Sequence, residues 1–350
     1  MKAIVKDKPK KGFILADRPE PQIQQSTEVK LKMIYSGICG TDIHINQWDQ
    51  WSAENITLPQ INGHEGVGKV VAVGNKVTKV KLGDYVSFES HIYDKTCHIC
   101  KKGGYHVCRN MEILGVSVNG VWQKYTVLPE NIIFKLDGTV PLKYCAILES
   151  FGNAYHTQSV SEIEGKNVLV TGDGPIAIFA ALIVQTRNPK NLFITGINEF
   201  RKNIARKCGL NLIDPMQTDL KTKIMEETNN EGIDVVLEFT GNAEVLESVV
   251  DIISELGDIN ILSIYPQQKI LIRLNELTFK NVRIQTILGR KIWSTWNEGY
   301  NLIKSKKIAW EHINNVITHT IPFEQFEKGF ELLSKHEALK ILMTFKDTKE

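Results

Sequence analysis

The segment Val168-Leu169-Val170-Thr171-Gly172-Asp173-Gly174-Pro175-Ile176-Ala177 restricts the fold more than any other stretch of the chain. A short run of apolar, β-branched residues enters a G-x-G-x-x-A turn, and the helix-like PIAIFAALIVQTR leaves it. A tight glycine turn of this kind lets a pyrophosphate approach backbone N–H groups at a helix N-terminus, and a small third residue permits close packing of helix on strand. The same rhythm continues downstream. NLFITG reads as a strand, EFRKNIARKCG as a helix whose glycine suits its end, IDVVLEFTG as a strand, AEVLESVVDIISELG as a helix over 243–257, and DINILSI as a strand. Strands alternating with helices predict an α/β unit with a parallel, doubly wound sheet.

The first half has a different grain. VKLKMIYSGIC, EGVGKVVAVGNKV and GDYVSFES are β-branched runs punctuated by glycine, as in an antiparallel, barrel-like domain, and helical patterns are scarce before about residue 140. Near the tail, WNEGYNLIKSKKI and EQFEKGFELLSK read as helices. With 350 residues, two domains are expected. Apolar residues make up 42% and charged residues 23%, which is globular composition and excludes a wholly disordered chain. Forty-two basic residues against forty acidic ones argue against nucleic acid as a partner. No apolar run approaches the roughly 20 residues of a membrane span, and MKAIVKDKPKKGFIL lacks the apolar core of a secretory signal. A cytoplasmic enzyme acting on a small molecule is expected.

Six cysteines are too few for a disulfide scaffold, and three of them fall within twelve residues. Cys97, Cys100 and Cys108 have C-x2-C-x7-C spacing, and stepping back by the same interval reaches Asp94, whose carboxylate is an acceptable zinc ligand. His91, His98 and His106 are near enough in sequence to serve in its place, and a lobe of free thiols is the rival reading. Cys145 and Cys208 have no partner by spacing and read as buried packing residues. Elsewhere, Cys39 lies in C-G-T-D-x-H, and His64 and Glu65 lie in G-H-E-x2-G-x5-G. A thiolate, an imidazole and a carboxylate are the ligand types of a catalytic zinc with an open position. The strand NLFITG ends at Gly196, where an NAD-selective site places Asp or Glu for the ribose 2′-OH. Arg201 and Lys202 follow and either accept a 2′-phosphate or are solvated surface charges, so this strand end leaves NAD and NADP both open.

Taken together, these motifs resemble those of the zinc-dependent medium-chain alcohol dehydrogenases, over essentially the whole chain. CGTDIHINQWDQW, AILESFGNAYHT, NEFRKNIARKCG and LGRKIWSTW point within that family to its L-threonine 3-dehydrogenase branch. The resemblance implies a GroES-like, mostly antiparallel catalytic domain over 1–150 and 291–350, and a Rossmann cofactor domain over 151–290. It implies a catalytic zinc on Cys39, His64 and Glu65, with Glu149 as a fourth or exchangeable ligand. It also implies a structural zinc on Asp94, Cys97, Cys100 and Cys108. Thr41 and His44 match the family's proton relay through the cofactor ribose, and His91 matches a position near the substrate. Gly172, Gly174, Pro175, Ile176, Ala177, Gly196 and Arg201 would bind the dinucleotide, which the family implies is NAD. Oxidation of L-threonine by a homotetramer is expected, with a polyol or sugar dehydrogenase as the alternative and a non-catalytic zinc scaffold as a more distant one.

Overall fold

The computed structural model describes residues 1–265 and 269–345. The run Asn167–Thr171 is buried at all five positions because it lies inside a sheet covered on both faces. That sheet has six parallel strands in the order Leu212–Ile213, Asn191–Thr195, Asn167–Thr171, Ile233–Glu238, Ile253–Ile261 and Arg283–Thr286. The strand order reverses beside Asn167–Thr171, which is the doubly wound arrangement read from the alternation of strand and helix. From Thr171 the chain turns through Gly172 and enters the helix Pro175–Gln185, with Pro175 in its first turn and Gly174 as its cap. Leu169, Phe193, Val236 and Ile259 form the core on this sheet.

One element differs from its sequence reading. The helix expected over 243–257 stops early: Ala243–Val249 is helical, and Ile253–Ile261 is already strand. Ile252 and Ile253 are buried and β-branched, and Ile253 pairs with Ile233 at the sheet's edge of register. Leu256 then takes a left-handed φ of 61°, and pairing resumes at Asp258 beside Val235 across a bulge. The helical periodicity of the segment therefore extended over residues that the sheet claims.

The first half builds a sheet around the long strand Glu28–Ile38, which pairs antiparallel with Gly66–Val73, Tyr125–Pro129 and Lys340–Thr344. Tyr85–Phe88 and Ile133–Lys135 extend it on one side and Ile317–Pro322 on the other. A smaller sheet joins Lys2–Lys6 to Ile14–Asp17 and Gln60–Ile61. Met33, Phe88 and Trp122 belong to the core of this half, and Trp48 and Trp51 pack against it.

The described residues divide into two compact units: Met1–Glu149, Lys291–Trp296 and 317–345 form one, and Ser150–Arg290 with Asn297–Val316 form the other. The expectation that all of 291–350 returns to the first domain is corrected over 297–316. The helix Trp310–Val316 packs against Pro175–Gln185 and Glu199–Lys207. Cys208 Sγ donates to His312 O at 3.5 Å, and Asn315 Nδ2 donates to Lys207 O at 3.2 Å. Cys208 and Cys145 are both fully buried packing residues. Of the domain spans read from sequence, 266–268 and 346–350 lie outside the described residues. No helix among the described residues is long and apolar enough to cross a membrane.

Candidate functional site

Cys39 stands at the N-terminus of the helix Gly40–Gln47, where the strand Glu28–Ile38 ends. The Asp42 carboxylate, one turn on, accepts from the Cys39 N–H at 2.9 Å and so fixes the backbone that carries the thiol. His64 and Glu65 come from the turn that feeds the strand Gly66–Val73, which pairs with Glu28–Ile38. This pairing brings Cys39, His64 and Glu65 together, with one ligand atom from each lying within 4.8 Å of the others. His64 and Glu65 are buried and Cys39 is half-buried, and Glu65 Oε1 has no hydrogen bond. Asp42, fully buried, stands behind the imidazole with Oδ1 3.7 Å from His64 Nδ1, beyond hydrogen-bond distance.

Glu65 has one further neighbour that sequence reasoning missed. Lys340, 1% exposed in the strand Lys340–Thr344, ion-pairs with its Oε2 and donates to Ile38 O at 3.4 Å. Burial alone would lower the Lys340 ammonium, but the charges of Glu65, Cys39 and Glu149 outweigh it and raise its pKa. Burial, followed by the Glu65 carboxylate, pushes the Cys39 thiol well above its ordinary range. Burial first, then Glu65, also raises Glu149, and burial pushes Asp42 up to about 6. One lysine faces four acidic groups here. A divalent cation would let them ionise together, so the donor set fits a metal on electrostatic as well as geometric grounds.

Gly37 is needed for this arrangement. A Cβ there would stand 2.2 Å from Glu65 Oε2 and 3.3 Å from Lys340 Cε. Gly37→Ala is expected to displace the carboxylate at an overpacking cost of about 1–3 kcal/mol and to weaken zinc binding, read by competition with a chelating dye. Unchanged zinc affinity would count against Glu65 as a ligand.

The other expected residues are placed as follows. Glu149, near the start of the helix Leu148–Ser159, accepts from Ser90 Oγ at 3.3 Å but is not part of the group enclosed within 4.8 Å. Thr41 and His44 share the Gly40–Gln47 helix; His44 is exposed and its Nδ1 is 2.6 Å from Asp49 Oδ2. His91 is buried, and burial, then the charges of His64 and His106, lower its pKa to about 4. Its backbone N–H donates to the buried Glu89 at 3.0 Å, and Glu89 also accepts from Trp296 Nε1 at 2.7 Å.

Asp94, Cys97, Cys100 and Cys108 form the second group whose ligand atoms all lie within 4.8 Å, and neither group includes His91, His98 or His106. Cys97 and Cys108 sulfurs are 3.9 Å apart, close to the roughly 3.8 Å that two Zn–S bonds of about 2.3 Å subtend in a tetrahedron. The Cys97 N–H, Asn110 and the Thr96 N–H donate to the Asp94 carboxylate at 3.0, 2.6 and 2.8 Å and hold it far below the usual carboxylate range. The amides of Cys100 and Arg109 lower the Cys97 thiol, whereas burial raises Cys100.

In the other unit, Gly172 turns with φ +108°, and beyond Gly174 a Cβ would meet nothing within 4 Å. No side chain caps the helix Pro175–Gln185. Open space before uncapped N–H groups is what a pyrophosphate requires. Ile176 is half-buried and Ala177 is 1% exposed against the sheet. Arg201 is ion-paired to Asp173 at 2.8 Å. Lys202 is not a solvated charge: its side chain is 6% exposed and pairs with Asp214 at 2.7 Å and Glu199 at 2.9 Å.

Two family models match the chain, the alcohol dehydrogenase GroES-like domain over residues 25–138 and the zinc-binding dehydrogenase over 175–305. The chain belongs to the zinc-binding alcohol dehydrogenase family and is an oxidoreductase. Its relatives include the L-threonine 3-dehydrogenase of Pyrococcus furiosus, 35% identical over 350 residues and covering 99% of each chain. That of Shewanella frigidimarina is 36% identical over 346 residues, covering 99% of this chain and all of the other. Among solved structures, an alcohol dehydrogenase from Thermus sp. ATN1 matches with a TM-score of 0.91 at 23% identity, covering 99% and 100% of the two chains. A 2R,3R-butanediol dehydrogenase from Bacillus subtilis matches with 0.88 at 26%, covering 98% and 99%.

Proposed function

We propose that this chain oxidises the secondary alcohol of L-threonine to 2-amino-3-oxobutanoate, with the hydride passing to NAD. The observation that carries this reading is the clustered Cys39–His64–Glu65 group in a chain similar over its full length to L-threonine 3-dehydrogenases. These three residues, with Glu149 as a fourth or exchangeable ligand, would hold a zinc ion, which would supply Lewis acidity toward the substrate hydroxyl. Lys340 keeps the Glu65 carboxylate in place, and Asp42 pins the backbone of Cys39. Thr41 and His44, three apart on one helix face, carry the hydroxyl proton outward, with Asp49 holding the exposed imidazole. His91, kept neutral by burial, lies near the substrate. Gly172, Gly174, Pro175, Ile176 and Ala177 receive the pyrophosphate, and Gly196 and Arg201 lie at the adenosine ribose.

Asp94, Cys97, Cys100 and Cys108 hold the structural zinc, which shapes a loop and takes no part in chemistry. Cys108→Ser is expected to remove one zinc per chain and lower the melting temperature while leaving turnover near wild type; loss of turnover at full stability would reverse that assignment. The protein works in the cytoplasm as a homotetramer. The outermost strand Arg283–Thr286 is exposed at every residue, and Phe279, four residues before it, is 89% exposed, surfaces suited to joining copies.

L-threonine deuterated at C3 tests the reaction. Each turnover should place one deuteron on the reduced nicotinamide. Reduced cofactor without label would contradict hydride transfer from C3, and label arriving only from a polyol would move the reading to the polyol dehydrogenases.

A further inference from the structure

The strand Asn191–Thr195 runs into Gly196, so the carboxylate that a dinucleotide site takes from the end of its second strand is missing from that strand. The space is nevertheless filled. A Cβ built on Gly196 would stand 2.6 Å from Leu212 Cδ2, 2.7 Å from Asp173 Cβ and 3.1 Å from Asp173 Oδ2. Asp173 belongs to the glycine turn itself, between Gly172 and Gly174. Its Oδ2 accepts from the N–H groups of Ile197 and Asn198 at 3.1 and 3.0 Å, and its Oδ1 accepts from Arg201 Nη1 at 2.8 Å. Asn198 in turn caps the helix Glu199–Lys207 and accepts from the Arg201 N–H at 3.0 Å. The residue is 8% exposed, so its position is set by packing as well as by hydrogen bonds.

We infer that Asp173 is the residue that selects NAD over NADP, supplying from the glycine turn the anion that the strand end lacks. This rests on the reading that the Gly172–Ala177 turn binds a dinucleotide. The carboxylate lies where a side chain at 196 would lie, and there it opposes a 2′-phosphate by charge. It also engages Arg201, one of the two cations at this strand end that the sequence offers to such a phosphate. Buried Lys202 is committed to Asp214 and Glu199 and cannot substitute. The arrangement explains the glycine as well: with Asp173 in place there is no room at 196 for a second side chain, so Gly196→Asp is expected to destabilise the fold rather than strengthen NAD binding.

Binding constants for NAD and NADP, measured by calorimetry on the full-length protein, test this without recourse to turnover. Wild-type protein should bind NAD more tightly by about 10- to 100-fold, the range of one charge-assisted contact. Asp173→Asn, which keeps the shape and removes the charge, should shrink that ratio about tenfold by tightening NADP. Adding Arg201→Ala should cancel the gain. Wild-type protein that binds NADP as tightly as NAD overturns the inference, and so does a folded Asp173→Asn variant with an unchanged ratio. If Asp173→Asn does not fold, Arg201→Ala alone decides: weaker NADP with unchanged NAD supports the role of the Asp173 anion, and unchanged or tighter NADP overturns it. Binding of neither nucleotide would instead sink the dinucleotide reading, and the inference with it.

Discussion

Cys39→Ser should lower turnover by about 1000-fold or more, since a metal Lewis acid supplies several kcal/mol of transition-state stabilisation and each 1.36 kcal/mol is tenfold in rate. The protein should stay folded. What fixes this part of the chain is the Asp42 carboxylate on the Cys39 N–H, and that contact does not involve the sulfur. Serine also fits the position, because the helix Gly40–Gln47 begins immediately after it and serine is a favoured N-cap. Metal analysis should show zinc falling by one per chain, with the Asp94–Cys108 group still loaded. A Cys39→Ser enzyme that turns over normally with its full zinc would remove the basis for assigning Cys39, His64 and Glu65 as a metal site.

The second large effect concerns stability. Lys340→Met should destabilise the metal-stripped protein by about 3–5 kcal/mol, the usual cost of breaking a buried ion pair from one side. The residue is 1% exposed and the Glu65 carboxylate is fully buried, so water cannot replace the lost charge. In zinc-loaded protein the loss should be smaller, because the metal supplies positive charge to the same carboxylate. Urea unfolding of the unit that carries Lys340, followed with and without chelator, measures both. An equal loss in the two states would mean that Glu65 does not face the metal.

Much of the site was legible because its chemistry needs particular residue types. Cys39, His64 and Glu65 are two short motifs about 25 residues apart in sequence, and antiparallel pairing of Glu28–Ile38 with Gly66–Val73 closes that distance. The Asp94, Cys97, Cys100 and Cys108 spacing is local, so no tertiary knowledge was needed to group it. The six-stranded sheet was readable from the alternation of strand and helix. Failures came where distant packing decides. The helical period of 243–257 was overridden at Ile253 by pairing with Ile233, and the helix Trp310–Val316 went to the second unit because its neighbours lie a hundred residues upstream.

Three charged residues were missed for the same reason. Lys340 did carry a signal, a lysine between Leu339 and Ile341 in a strand otherwise apolar over ILM, but only the fold reveals that Glu65 is its partner. Asp42 was quoted as part of a motif without a role, and its place behind His64 depends on how the helix Gly40–Gln47 meets the strand turn. Asp173 was passed over as a variable position between two glycines. The missing side chain at Gly196 and the carboxylate at 173 are one feature, since Asp173 fills the space that a side chain at 196 would need.

The measurement that bears most directly on the account is the initial rate of L-threonine oxidation by zinc-loaded protein, with NAD and NADP run side by side and a chelated sample beside them. The account predicts turnover of L-threonine, faster with NAD, lost on chelation and recovered with zinc. No turnover with either cofactor, or a rate indifferent to zinc, would contradict it.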